Sequence, residues 1–583
     1  MKRYARKMCN GTWADSLKNR EDQSINMKQI DTCGLSFPDI RDDDKYYVDK
    51  TLLIKDILDA NDRGIYLFTR PRRFGKTTNL SMLNAFFNIK YKGNTWFDDL
   101  EISKYPEYEQ YKNAFPVLYL NLKGTDAPNY DAFLAAMQSI VLESLKEHAY
   151  LLDYNKVMKD EQLLFDALFT GTANYEQLRA SVAKISQILE RYHGKKVIVL
   201  IDEYDRAVSD TFGKESHREM MSFLGAFLSS ILKNNNSLQM AYVTGVMQIA
   251  KESIFSDLNN IAVDNIFSTE SDERFGFTES EVKELLSYYG HPEKFGEAKE
   301  WYDGYRFGDA EVYNPFSIMN YVWRKFNPVP YWSNSGGDSV VRWLFERIGG
   351  GNFSRIHDLV EGGTIRIKLE SSLRYEEISL RETSIFSLMA MSGYLKAVPA
   401  GDGLYDVTLP NREVRDRVAK TLEDTAHIDS DCFTDFNRAV LDGDADTMAA
   451  IFQRILLEGS YFNLNAENAY GLILMTILHE VAKWYEVRTE YESGNGRTDI
   501  ILKPRREGMV PMIFELKKVN FENELDAGLD DAIRQIHKRR YYLGMPGKVV
   551  LAGMSVYGKI PKARIEIIDN GPEGTSYVPQ LEE

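Results

Sequence analysis

Two groups of residues in this chain have the types and spacing that phosphate chemistry needs. In the first, the apolar run 65–69 leads into Arg70, Pro71, Arg72, Arg73, Phe74, Gly75, Lys76 and Thr77, followed by Thr78 and the amphipathic stretch Leu80, Met82, Leu83, Phe86 and Phe87. A glycine at a helix start lets backbone N–H groups approach a phosphate, the lysine brings an ammonium, and the threonine hydroxyl can ligate Mg²⁺. The full pattern, G-x-x-x-x-G-K-S/T, begins with a glycine where this chain has Arg70. In the second group, Asp499 precedes Glu515, Leu516 and Lys517. Strand alternation puts Glu515 and Lys517 on one face, and a hairpin through 504–508 brings Asp499 beside them. Two carboxylates and a lysine can hold a divalent cation and stabilise charge on an attacked phosphodiester. An exposed strand with salt-bridging charges would show the same pattern.

A third feature supports the first. Val197, Ile198, Val199, Leu200 and Ile201 run into Asp202 and Glu203. A continuous apolar run ending in acids is how a buried parallel strand delivers carboxylates to its C-terminal edge. Asp202 is expected to hold Mg²⁺ and Glu203 to polarise the attacking water. The run 240–244 ends in Thr244, a hydroxyl placed as a γ-phosphate sensor would be. Nucleotide contacts are therefore expected from Arg72, Arg73, Phe74, Gly75, Lys76, Thr77, Thr78, Asp202 and Thr244, with ATP and Mg²⁺ as ligands.

The elements that must position these residues define the architecture. Short apolar strands alternate with helical patterns over about 37–268, which indicates an α/β parallel sheet of the phosphate-loop type. The pattern is mostly helical to 447, and a second α/β segment follows. Expected boundaries are an unstructured leader at 1–33, a nucleotide domain at 34–268, a helical lid or linker at 269–447 and a nuclease-like domain at 448–583. The chain has 583 residues, too many for one core. Its three cysteines, Cys9, Cys33 and Cys432, are spaced for neither a disulfide framework nor a zinc site. Without a membrane span or secretory signal in the pattern, a cytoplasmic protein is expected. The net charge of -16 argues against coating nucleic acid through bulk electrostatics, yet 497–565 holds 14 Lys/Arg against 8 Asp/Glu. That local excess suits a phosphate-binding face or a solvated one equally.

The motifs also carry a resemblance. Tyr46, Tyr47, Val48, Asp49, Lys50 and Thr51, the loop 70–77, Ile201 to Asp205, Thr244 to Val246, Lys251 to Ser256 with Leu258 to Asn260, and Trp301 to Tyr305 resemble the bacterial AAA-ATPase-like family. That family habitually lacks the first glycine. It often carries an arginine after Thr-Gly-Val, where this chain has Gln248. Arg70, Arg72 or Arg73 could supply that charge, although Arg72 and Arg73 would serve equally as docking surface. Glu492 to Asp499 with Glu515 and Lys517 resembles the PD-(D/E)XK nuclease domain that accompanies the family. The resemblance implies catalysis by Asp499, Glu515 and Lys517, a metal site at Glu467, Asp499 and Glu515, and a nucleic-acid or metal-shell contact from Gln535.

His479 and Glu480 lack the second histidine of a zinc protease, since position 483 is lysine. Leu472, Leu474, Met475 and Leu478 read as a core-facing helix stripe. Tyr541 and Tyr542, after Lys538 to Arg540, could stack bases or simply end a helix. The expected function is ATP binding and hydrolysis joined to Mg²⁺-dependent cleavage of nucleic acid, DNA rather than RNA, with nucleotide state gating cleavage. A homo-oligomer or protein partner is also expected. The alternative is a nucleotide-dependent binding or signalling switch, of stress or phage-defence type, whose nuclease fold binds without cutting.

Overall fold

The computed structural model describes residues 27–574 except 61–62, 126, 207–215, 234, 248–260, 333–354, 357, 374–380, 426–429, 459–469, 471–472, 475–476, 479–483, 494–495 and 507. Gln248, Glu467, His479, the family-like segments 251–256 and 258–260, and most of the expected leader lie outside the described residues. The chain forms two compact units, Met1–Val341 with Gly362–Arg417, and Arg342–Glu361 with Val418–Glu583.

The first unit is built on a five-stranded parallel sheet. Its strands are β1 (Ile65–Thr69), β2 (Val117–Asn121), β3 (Val197–Asp202), β4 (Leu238–Gly245) and β5 (Ile261–Asp264), in the order β2-β3-β4-β1-β5. Every residue of β1 and β3 is buried, as continuous apolar runs require when helices cover both faces. Those helices include α1 (Lys76–Phe87), α2 (Tyr130–Lys146), α3 (Tyr175–His193) and α4 (His217–Leu232). Placing β4 between β1 and β3 brings Thr69, Thr244 and Asp202 to one edge of the sheet.

The middle is helical, with α5 (Glu279–Tyr288), α6 (Pro315–Trp323), α7 (Glu382–Met391) and α8 (Arg412–Thr425). It also contains two small antiparallel sheets. One comprises β6 (Phe277–Thr278), β7 (Tyr305–Phe307) and β8 (Ala310–Tyr313), and the other β9 (Ile365–Lys368), β10 (Lys396–Gly401) and β11 (Leu404–Thr408). The first is too short to show a period of two, whereas β9 reads Ile-Arg-Ile-Lys with alternate residues buried. A leader running to residue 33 is corrected here, because the chain is already fixed at Lys28. Its N–H donates to the Tyr288 hydroxyl (2.9 Å), and the Tyr289 hydroxyl donates to its carbonyl (2.6 Å).

Glu413 anchors the start of α8. This carboxylate is fully buried and accepts from Ser317 Oγ (2.7 Å) and from the Trp332 N–H (2.5 Å). The Trp332 indole N–H in turn donates to the Arg72 carbonyl (3.2 Å). The second unit contains α9 (Ser430–Asp442), α10 (Ala445–Glu458), β12 (Tyr485–Ser493), β13 (Gly496–Pro504), β14 (Met512–Lys518), α11 (Leu525–Arg539), β15 (Lys548–Tyr557) and β16 (Ile560–Asp569). Its sheet runs in that strand order, with β14 and β15 parallel and the other pairs antiparallel. Among the described residues, no helix is long and apolar enough to cross a membrane.

Gly304 lies inside the Trp301 to Tyr305 motif at φ +92°, and a Cβ there would sit 2.0 Å from the Pro410 carbonyl oxygen. Backbone strain and a backbone collision add, so Gly304→Ala is expected to cost the first unit about 3 kcal/mol or more. Gly290→Ala, at φ +77° with open space around it, should cost about 1 kcal/mol. Thermal unfolding of the two variants checks the contrast.

Candidate functional site

Gly75 takes φ +83° as it turns the chain into α1, a conformation that glycine adopts without a steric penalty. The turn aims the first N–H groups of α1 into the loop. Lys76 is buried, and its Nζ donates to the carbonyls of Arg70 and Pro71 at 2.8 Å each. Burial pushes this ammonium down to about 8, against the pull of Asp205, Asp202 and Glu203.

Asp202 joins three segments. Its Oδ2 accepts from Thr77 Oγ1 (2.8 Å) and its Oδ1 from Thr244 Oγ1 (2.5 Å). Burial raises its pKa, and the two hydroxyl bonds oppose the rise. A hydroxyl and a carboxylate this close form an oxygen donor pair of the kind Mg²⁺ takes. Glu203 leaves the strand at φ +53°, a conformation uncommon for any residue with a Cβ and found often at functional sites. Its N–H points at Thr244 Oγ1 (3.4 Å).

The structure brings the remaining expected loop residues together in unequal roles. Arg73 is exposed, and its guanidinium lies 4.6 Å above the Phe316 ring. Arg72 and Thr78 are half-buried. Phe74 is completely buried between Tyr305 (4.9 Å) and Phe307 (5.0 Å). Its side chain is a core anchor, so only its backbone is open to a ligand. Arg70 is also fully buried and bonded to Asp264, which corrects the expectation that it could supply charge to a γ-phosphate. Sequence reading gave Asp205 no role. It is buried and accepts from the N–H groups of Val246 and Met247 (2.9 Å each), fixing the turn after β4. Its place three residues after Asp202 was the available signal.

In the second unit, the β13–β14 register pairs Ile500 with Phe514 and so sets Asp499 across from Glu515. Phe514 and Leu516 enter the core on one face of the sheet. Glu515 and Lys517 lie on the face of α11. Lys517 Nζ is 3.1 Å from Glu515 Oε1, and the Leu516 N–H donates to Asp499 Oδ2 (2.8 Å). Glu515 is 1% exposed, and its Oε2 has no partner among the described residues. An orphaned buried carboxylate oxygen beside a second carboxylate fits a divalent cation. Among the described residues, no third His, Cys, Asp or Glu completes a metal cluster there.

Gln535 Nε2 donates to the Tyr541 hydroxyl (3.1 Å), and Tyr541 in turn feels the charges of Glu515 and Asp499. Gln535 is thus brought toward the carboxylates through a tyrosine. Tyr541 and Tyr542 are each 1% exposed, so they pack the core and do not stack bases. Part of the local basic excess is neutralised by α11. Lys562 pairs with Asp526 and Arg564 with Asp530 (2.7 Å each).

Burial and the Asp499 charge push the Glu515 carboxyl up to about 7, with Lys517 pulling it back. A carboxyl whose folded pKa exceeds its unfolded value stabilises the fold at low pH, and that contribution is lost as pH rises through the folded value. Without divalent cation, the second unit should therefore lose about 2–3 kcal/mol between pH 4.5 and 7.5. Glu515→Gln should flatten that loss, and added Mg²⁺ or Mn²⁺ should raise the wild-type melting temperature most above pH 7. Thermal unfolding across pH, with and without metal, measures both effects.

Comparison with known proteins completes the picture. Residues 33–255 match the family described as Predicted AAA-ATPase, and residues 465–559 match the PD-(D/E)XK nuclease superfamily. An uncharacterized protein in the vnfD 5′ region of Azotobacter chroococcum mcd 1 is 30% identical over 329 residues, which is 54% of this chain and 55% of that protein. The match thus spans about half the length of this curated relative. The Aeropyrum pernix ORC2 protein, solved with ADPNP and ADP, aligns at 12% identity and TM-score 0.22 over 64% of this chain and 92% of its own. A DNA replication initiation factor aligns at 11% identity and TM-score 0.23 over 76% and 94%. Likeness at those scores adds nothing to the fold, which rests on the sheet topology and the two family matches. The chain carries a predicted AAA-ATPase domain at residues 33–255 and a C-terminal PD-(D/E)XK nuclease superfamily domain at residues 465–559.

Proposed function

We propose that this protein binds and hydrolyses ATP in its first unit and cleaves nucleic acid, DNA rather than RNA, in its second. The observation that carries this reading is that the described donors of both sites converge. Thr77, Asp202 and Thr244 meet beside Lys76, while Asp499, Glu515 and Lys517 meet around an unsatisfied carboxylate oxygen. In the first site, the backbone of 73–77 cradles the phosphates, and Lys76 exchanges two loop carbonyls for phosphate oxygens. Thr77 and Asp202 would hold Mg²⁺, and Glu203 orients the attacking water. Bound Mg²⁺ supplies charge neutralisation on the phosphoryl oxygens. In the second site, Asp499 and Glu515 would hold the cation, and Lys517 orients the nucleophile and stabilises developing charge. A second copy or a protein partner fits the motif resemblance, and a cytoplasmic setting fits three cysteines spaced for neither a disulfide framework nor a zinc site.

A second reading is supported by Gln248, which stands where related proteins often have arginine, and by the net charge of -16. It makes the chain a nucleotide-dependent switch whose nuclease fold binds without cutting.

The two readings part under mutation. Labelled single- and double-stranded DNA and RNA are incubated with Mg²⁺ or Mn²⁺ and with ATP, ADP or no nucleotide, and the wild type should cut DNA in preference to RNA. Asp499→Ala, Glu515→Ala and Lys517→Ala should each abolish cutting without loss of fold. Lys76→Ala should weaken ATP binding about ten- to a hundredfold, the worth of a charge-assisted contact of about 1.5–3 kcal/mol. ATP binding with no cleavage of any substrate would favour the switch. Equal cleavage rates in all three nucleotide states would end the idea of gating.

A further inference from the structure

Arg70 occupies the position where the full phosphate-loop pattern has its first glycine, and it is the largest fully buried side chain of the described residues. A buried guanidinium is costly unless its fork is matched; here both terminal nitrogens are engaged, while Arg70 Nε and Asp264 Oδ2 have no hydrogen-bond partner among the described residues. Nη1 donates to the carbonyls of Thr69 and Asp264 (3.0 Å each), and Nη2 donates to Asp264 Oδ1 (2.7 Å) and approaches the Ser271 carbonyl (3.5 Å). The Phe275 and Phe307 rings lie against the same group, at 4.9 and 5.1 Å. Its main-chain N–H meanwhile donates to the Gly245 carbonyl (3.2 Å). One residue therefore ties the end of β1 to the ends of both neighbouring strands, β4 and β5.

The strap that follows β5 then grips the loop twice more. The Gly276 N–H donates to the Phe74 carbonyl (3.4 Å), and Asn79 Nδ2 donates to the Arg274 carbonyl (2.9 Å). Start, middle and exit of the loop are thus held by residues 264–276. With the Arg70 side chain drawn into this strap, its carbonyl and that of Pro71 are left facing Lys76 Nζ. We propose that Arg70 is a positioning residue of the nucleotide site: it locks the phosphate loop to the 264–276 strap, so that the cradle for the β- and γ-phosphates is formed before ligand arrives. The inference rests on the ATP-binding reading of this site and adds how the loop keeps its shape without the glycine.

The test compares full-length wild type, Arg70→Lys, and the double variant Arg70→Met with Asp264→Leu, which removes both buried charges at once. Amide hydrogen exchange is followed in peptides covering 70–80 and 197–202, alongside circular dichroism and binding of labelled ATP. Arg70→Lys keeps the charge but loses the fork. The expected result is exchange in 70–80 faster by about tenfold or more, unchanged exchange in 197–202, a retained fold, and ATP affinity lower by about tenfold or more. Wild-type exchange in 70–80 of the folded double variant would overturn the proposal. Equal acceleration in both peptides, or unfolding of both variants, would also overturn it, by making Arg70 a general core ion pair. Failure of the wild type to bind ATP would sink the nucleotide reading alone, because the exchange contrast still decides whether Arg70 holds the loop.

Discussion

The first unit depends on one buried carboxylate. Asp202 is the last residue of an apolar strand, and taking its charge out of water is unfavourable unless donors replace the solvent. Thr77, at the start of α1, and Thr244, near the end of β4, supply those donors. The requirement to satisfy one acid therefore fixes a helix start and two strand ends relative to one another. Asp205 repeats the device a few residues on with two backbone N–H groups from the turn after β4. The sheet brings these segments close, and the acids set the final geometry.

Much of this was legible because continuous apolar runs report buried parallel strands, and the acids at their ends report an edge. Asp202, Lys76, Thr77 and Thr244 converge where the runs implied. The burial of Arg70 and of the Phe74 side chain was hidden from the sequence for a shared reason. A charged or aromatic residue within a loop reads as surface, and only distant partners such as Asp264, Phe275, Tyr305 and Phe307 could show otherwise. The first small sheet of the middle escaped because β6 and β7 are too short for alternation to register. In the second unit, period-two alternation placed Glu515 and Lys517 on one face, whereas the burial of Tyr541 and Tyr542 depended on packing that local pattern does not encode.

The second unit shows how a catalytic-type pair can be kept dry without being sealed by bulk. Opposite Glu515 in the register with β15 stands Gly553, where a Cβ would come within 3.0 Å of Ile533 on α11. Gly528 on the same helix would collide with Ser555. Two glycines, one on each surface, let α11 lie close over β15, the strand beside the one that carries Glu515. That close approach removes water from Glu515 and raises its affinity for a proton. The same desolvation strengthens its attraction for a cation.

Glu413 gives the chain a different kind of constraint. Both of its oxygens are engaged, by Ser317 and by Trp332, and the same tryptophan reaches the Arg72 carbonyl with its indole. Helix α8 begins at this point and continues past Arg417, where the first unit ends. A shift of the Arg72 carbonyl would therefore pull on a rigid aromatic plane whose own backbone holds the root of the helix. In mechanical terms, Trp332 is a crank within the first unit: a movement of the phosphate loop would enter at the ring and leave at the root of α8.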